Sequence, residues 1–156
     1  MIQTEQSNFS GDLSPLGLAA LELLRKGYSV IPLKPGSKRP LQDWKPYQDR
    51  MASETEVHAW WEENPNANIA VVTGRISNLS VIDVDRQNGG LETYERENLG
   101  ALLPPTRRHN TPSGGFHLWF RYNPDLPQGQ DDVRGIDVRN TGGYILAPPS
   151  IVDGVA

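Results

Sequence analysis

Asp83 and Asp85 are the residues in this chain best suited to chemistry. They end an apolar run, Leu79-Ser80-Val81-Ile82, and Gly89-Gly90 follow. Residues two apart in a strand share a face, so both carboxylates point one way while Val84 turns into the core. Side-by-side carboxylates repel each other unless a cation lies between them. Hard divalent cations prefer oxygen ligands, and Mg²⁺ is usually held by one or two carboxylates plus substrate phosphates. The pair points to phosphoryl or nucleotidyl chemistry. A lone D-x-D is equally a turn feature, because Asp is common where strands end.

Three further groups belong beside the aspartates. Thr111-Pro112-Ser113-Gly114-Gly115-Phe116-His117 offers paired glycines, whose backbone amides can approach an anion closely. Ser113 adds a hydroxyl, and His117 can donate to a phosphate oxygen. The plainer alternative is a hairpin turn whose histidine packs on Trp119. Gly135-Ile136-Asp137-Val138-Arg139 carries an acid with an arginine on the same face; the alternative is a surface ion pair. Lys34, Lys38 and Arg39 crowd one loop, where positive charge is also ordinary solvated surface.

The elements that must position these groups are well punctuated. Ser14-Pro15 starts a helix with Ser as N-cap. Leu16, Ala19, Ala20, Leu23 and Leu24 form its apolar stripe, and Gly27 stops it. Residues 28–33 read as a strand, followed by a turn-rich loop to Pro40. Ser53-Glu54-Thr55-Glu56 is a capping box. It opens a helix carrying Val57, Trp60 and Trp61 that ends at Pro65. Strands are predicted over 68–73, 79–85, 107–111, 116–122, 135–139 and 144–147, with a helix over 90–99. Asn140-Thr141-Gly142-Gly143 reads as a hairpin turn. The order predicts an α+β fold: a mixed, largely antiparallel sheet packed with an N-terminal αβ unit.

Composition narrows the class. The chain has 156 residues, 37% hydrophobic and 22% charged, enough for one domain with a working core. Residues 1–12 read as a flexible leader and 13–156 as the domain. The absence of cysteine excludes disulfides and cysteine-ligated metal centres, and fits a cytoplasmic location. No stretch is apolar enough to span a membrane, and the first residues do not form a signal peptide. The net charge of −4 argues against a broadly basic nucleic-acid binder.

The motifs in order are 27–40 with P-L-K-P-G-S-K-R-P, N-A-N-I-A-V-V-T-G, S-V-I-D-V-D, T-P-S-G-G-F-H-L-W-F and G-I-D-V-R-N-T-G-G-Y-I-L-A-P-P-S. Together they resemble the bifunctional primase–polymerase N-terminal domain of the archaeo-eukaryotic primase superfamily, over about residues 15 to 150. The resemblance implies an RRM-like catalytic core. It implies Asp83, Asp85 and Asp137 as ligands of Mg²⁺ or Mn²⁺. It also implies Ser113, Gly114, Gly115 and His117 at the nucleotide triphosphate. Lys34, Lys38 and Arg139 are candidates for the phosphates. Pro148-Pro149-Ser150 matches the family's closing signature and is expected to shape the site floor. Implied partners are dNTP or NTP, a single-stranded or primed DNA template, and a helicase domain or protein in a plasmid-, phage- or prophage-type replication system.

The chemistry implied is attack of a 3′-hydroxyl on an α-phosphate with loss of pyrophosphate. Removing one acid is then expected to affect the chemical step more than the fold. Family domains usually continue past the last motif, so the domain is expected to be truncated at its C-terminus and to bind primed DNA weakly. The alternative class is a catalytically silent module that binds nucleotide or single-stranded DNA, with Phe116, Trp119 and Tyr122 as base-stacking groups. Buried core is the expected place for most of those rings. A D-x-D glycosyltransferase explains the aspartate pair but neither S-G-G-F-H nor G-I-D-V-R.

Overall fold

The computed structural model of the chain describes residues 12–129 and 134–156. The expected leader therefore lies, apart from Asp12, outside the described residues. Among the described residues, four α-helices and seven strands form an α+β fold. The helices are α1 (Pro15–Arg25), α2 (Glu54–Glu63), α3 (Gly90–Arg96) and α4 (Leu99–Leu102). The strands are β1 (Val30–Leu33), β2 (Asn68–Val72), β3 (Leu79–Val84), β4 (Arg107–Asn110), β5 (Phe116–Arg121), β6 (Ile136–Arg139) and β7 (Tyr144–Ala147). They divide into two sheets, β1-β2-β7 and β4-β5-β3-β6. Every neighbouring pair is antiparallel.

The first sheet is the scaffold. All five residues of β2 are buried, as a central strand covered on both faces requires. Helices α1 and α2 pack on each other and against β1. The Ser14 hydroxyl caps α1 by accepting from the Gly17 amide at 3.1 Å. Gly17, Ala20 and Leu21 are the buried positions of α1. Gly17 lies so close to Trp61 that a Cβ there would stand 2.8 Å from the Trp61 Cβ. Ser53 and Glu56 close the predicted capping box on α2. Trp61 is fully buried, and its indole donates to the Ala67 carbonyl at 2.9 Å.

The second sheet carries the chemistry. One face of β3 presents Leu79, Val81, Asp83 and Asp85. Leu79 and Val81, with Trp119 of β5, join the core of the first sheet. The other face buries Val84, Phe116 and Leu118 under Leu91 and Tyr94 of α3 and Leu103 beyond α4. Phe116 and Trp119 are thus core, as expected. The predicted helix over 90–99 is two helices. Asn98 breaks it with a left-handed φ of 53°, a conformation Asn tolerates better than most residues.

The hairpin expected at 140–143 does not form. β6 pairs with β3 and β7 with β2, so this segment crosses from one sheet to the other. Asn140 explains the change of direction. It is buried, and its side-chain amide donates to the Asn123 carbonyl at 2.9 Å and also to Leu126. Its carbonyl oxygen accepts from the Ser80 hydroxyl at 3.0 Å. Thr73 grips both ends of the crossing, its hydroxyl donating to Asn140 at 2.6 Å and its amide to Gly143 at 2.9 Å. A buried polar group satisfied on every side fixes the chain path.

Candidate functional site

Two of the three acids, Asp83 and Asp137, lie on a row that crosses the whole second sheet. Asp83 is directly opposite His117 on β5 and Asp137 on β6. His117 is in turn opposite His109 on β4. The register therefore brings three predicted site residues from three strands to one place. Two residues along the same face, Arg139 reaches back. Its guanidinium donates to Asp137 Oδ2 at 2.8 Å and stands 3.7 Å from Asp83 Oδ2. His117 Nε2 is 3.4 Å from Asp83 Oδ1. Burial pushes the Asp83 carboxyl up, but hydrogen bonding and charge from His117, then Arg139 and Lys38, outweigh it and hold it below the usual range.

Asp85 sits at the strand end, where its oxygens accept from the Gln87 amide at 2.9 Å and the Asn88 side chain at 2.7 Å. The turn role open to it from sequence is real, and the carboxylate still faces the cleft. The backbone around it is tight. Asp85 donates to the Gly135 carbonyl at 2.8 Å, and Gly90 donates to the Asp85 carbonyl at 2.7 Å. A Cβ on Gly90 would stand 2.7 Å from the Asp85 nitrogen. A Cβ on Gly115 would run into the Val84 carbonyl oxygen. These glycines let neighbouring strands and helix close on the end of β3.

A cleft of about 410 Å³ opens between the two sheets over this row. Asp83, Asp85, Asp137, His117, Ser113, Arg139 and Lys38 all line it. Gly114, Gly115 and Lys34 do not, so their predicted contact with phosphates has no counterpart in the cleft lining. Lys34 and Lys38 are both exposed, but only Lys38 lines the cleft. The backbone of the Lys38 loop is pinned at the cleft: the Tyr144 hydroxyl donates to the Lys38 carbonyl at 3.1 Å, and Asn68 donates to the Ser37 carbonyl at 3.0 Å. Trp44 braces Tyr144 edge-on at 4.9 Å.

Tyr144, Trp44 and Gln128 are cleft residues that sequence reasoning missed. They come from outside the acid-bearing strands, and no local spacing marks them. The S-G-G turn does form a hairpin, between β4 and β5. The histidine packed against Trp119 is His109, its ring tilted 48° with ring centres 4.6 Å apart; His117 faces the acids. Burial first, then the charges of His117 and Arg107, lower the His109 pKa. Pro148-Pro149-Ser150 does not line the main cleft. Ser150 instead binds the Ile69 amide at 2.8 Å, and Ile151 pairs with the Asn68 side chain, stitching the chain to β2.

Three carboxylates and no thiolate make a donor set that fits a hard divalent cation. Among the described residues no three acid or imidazole groups converge as a ready-made cluster, because Arg139 stands between Asp83 and Asp137. No helix among the described residues is long and apolar enough to cross a membrane. No curated protein matches the sequence closely enough to serve as a named relative. The family model for the bifunctional DNA primase/polymerase N-terminal domain matches residues 20–156, which takes in every element from within α1 to the end. On that match the chain belongs to the bifunctional DNA primase/polymerase N-terminal family.

Proposed function

We propose that the cleft performs metal-dependent nucleotidyl transfer in DNA replication, as primer synthesis, DNA polymerisation or both. The observation that carries this is the row His117–Asp83–Asp137 with Arg139 and Lys38 around it: acids for cations, cations for phosphates, in one cleft. Asp83, Asp85 and Asp137 would hold Mg²⁺ or Mn²⁺. Bound there, such an ion lowers the pKa of an attacking hydroxyl and neutralises charge on the leaving group.

The chain's own residues supply position and charge. Lys38, held over the cleft by Tyr144, meets the triphosphate from the first sheet. His117 donates a hydrogen bond to a phosphate oxygen and keeps Asp83 ionised. Arg139 exchanges its carboxylate partners for phosphate oxygens, for which its planar fork is well matched. The 3′-oxygen bonds to the α-phosphorus, the bond to the pyrophosphate oxygen breaks, and the hydroxyl proton leaves to solvent. The setting is a plasmid-, phage- or prophage-type replication protein acting with a helicase.

A second reading, a module that binds nucleotide or single-stranded DNA without reacting it, is favoured by one observation: the Asp85 carboxylate is engaged by its own turn. Incubation with labelled dNTPs, Mn²⁺ or Mg²⁺, and primed or unprimed template separates the two. Incorporation that Asp83→Asn abolishes supports transfer. Nucleotide binding without incorporation under every condition supports the silent module.

A further inference from the structure

Gln128 lines the cleft without belonging to any strand. Its backbone is nevertheless placed by the sheet. Gly129 and Val138 each donate to the other's carbonyl at 3.0 Å, an isolated antiparallel bridge on the outer edge of β6. In antiparallel pairing, the residue before one member stands opposite the residue after the other, so Gln128 stands across from Arg139. Alternation puts Gly129 and Val138 on one face and Gln128 and Arg139 on the other. That second face is the cleft, which both residues line.

The side-chain amide has a fixed polarity. Its oxygen accepts from the Asn140 backbone N–H at 2.7 Å. The other end of the amide is therefore the nitrogen, with its two N–H donors. Among the described residues no acceptor is bonded to that nitrogen. Gly143 makes room for the group, because a Cβ there would run into the Gln128 amide. Capping the Asn140 N–H is a structural task, and it accounts for the oxygen alone. It does not account for a pair of donors held beside Arg139 in the cleft.

We propose that Gln128 binds the triphosphate of the nucleotide, its Nε2 donating to an oxygen of a phosphate that does not react. The reacting phosphorus belongs beside the acids. Arg139 is two residues on from Asp137, about 7 Å along β6, and Gln128 is one strand spacing further out, about 4.8 Å. A donor at that remove meets the tail of the triphosphate. Arg139 stands between Asp137 and Gln128, so a polyanion follows this path better than a sugar or base does. A neutral amide adds a directed hydrogen bond there without adding a cation that would compete with a metal for the carboxylates. This role rests on the nucleotidyl-transfer reading of the cleft.

The test is isothermal titration calorimetry of the full chain with a non-hydrolysable dNTP and, separately, with inorganic tripolyphosphate, both in excess Mg²⁺. Gln128→Glu keeps an oxygen for the Asn140 N–H and puts a negative oxygen in place of the donors. It is expected to weaken both ligands by about tenfold or more, with a melting temperature no lower than that of wild type. Gln128→Met loses the cap and the donors without adding charge, and is expected to bind both ligands more tightly than Gln128→Glu. The opposite order, with Gln128→Glu at wild-type affinity and Gln128→Met weaker, overturns the proposal and leaves Gln128 a cap. Weakened dNTP binding with tripolyphosphate unaffected also overturns it, and moves the contact to the sugar or base. Absence of binding of either ligand by wild type removes the reading of the cleft and this role with it. Binding that Asp83→Asn weakens and Gln128→Glu does not removes the role of Gln128 alone.

Discussion

Replacing Arg139 with glutamine removes the cation that stands between two carboxylates. Asp83 and Asp137 are directly opposed on β3 and β6, where cross-strand Cβ atoms are about 5 Å apart. Two unit charges at that separation repel by about 3 kcal/mol in a medium of effective dielectric about 20. The two side chains are 21% and 14% exposed, so water screens part of this, and a net loss of about 1–2 kcal/mol follows. For a domain of this size that is a fall in melting temperature of about 2–8 °C at pH 7. The sign with pH is fixed by Asp83, whose carboxyl the cations hold below its ordinary value. A depressed acid adds stability above its unfolded pKa of about 3.9 and loses it as pH falls through the folded value. With Arg139 gone that contribution shrinks, so the gap between wild type and Arg139→Gln is widest near pH 7 and closes as pH falls below about 4. Millimolar Mn²⁺ replaces the missing charge and raises the melting temperature of the variant more than that of wild type. Thermal denaturation at pH 7 and pH 3, with and without Mn²⁺, reads all three effects. Equal melting at pH 7, or a deficit that does not shrink at all between pH 7 and pH 3, refutes the idea that Arg139 neutralises the acids.

Two other perturbations probe the frame around the site. Gly115→Ala drives a Cβ against the Val84 carbonyl oxygen and within 3.1 Å of the Arg86 nitrogen; neither is a flexible side chain, so a loss of about 1–3 kcal/mol is expected in denaturant titration. A neutral result would mean that β5 does not press on the end of β3. The Glu56 carboxyl is held at about 2 by Arg50 and by the Ser53 backbone amide. Glu56→Ala should therefore cost about 1 kcal/mol at pH 7, the usual worth of a cap. That cost is fully present above the normal Glu range and disappears as pH falls toward 2; a pH-independent difference would show that Glu56 acts through packing alone.

Local chemistry was legible in the sequence wherever it depends on near neighbours. Ser14, the Ser53–Glu56 box and the shared face of Asp83 and Asp85 follow from spacing alone, because caps and strand alternation are short-range. His117 and Asp137 were legible as members of an ordered motif set, but their place opposite Asp83 is a matter of register between distant strands. The 140–143 segment misled because its Asn and Gly residues suit a two-strand turn. Only the buried partners of Asn140, on Ser80, Asn123 and Leu126, turn it into a crossing. Lys34 and Lys38 are equivalent as charges in one loop; only Lys38 lines the cleft, where the Tyr144 hydroxyl, 106 residues away, holds its backbone. Gly115 reads like an anion-binding glycine, and the structure adds that a side chain there would meet the Val84 carbonyl oxygen. The cleft walls from β7 and Trp44 were hidden because they belong to the other sheet.

In the proposed function Asp83, Asp85 and Asp137 hold a divalent cation together with a nucleotide. Electron paramagnetic resonance of Mn²⁺, titrated with protein in the presence of a non-hydrolysable dNTP, tests it without relying on turnover. Wild type is expected to deplete the free Mn²⁺ signal. Asp83→Asn and Asp137→Asn should each weaken that binding by about tenfold or more, equivalent to about 1.4 kcal/mol, with their folds intact by thermal melting. Mn²⁺ binding by both variants at wild-type strength would contradict the account.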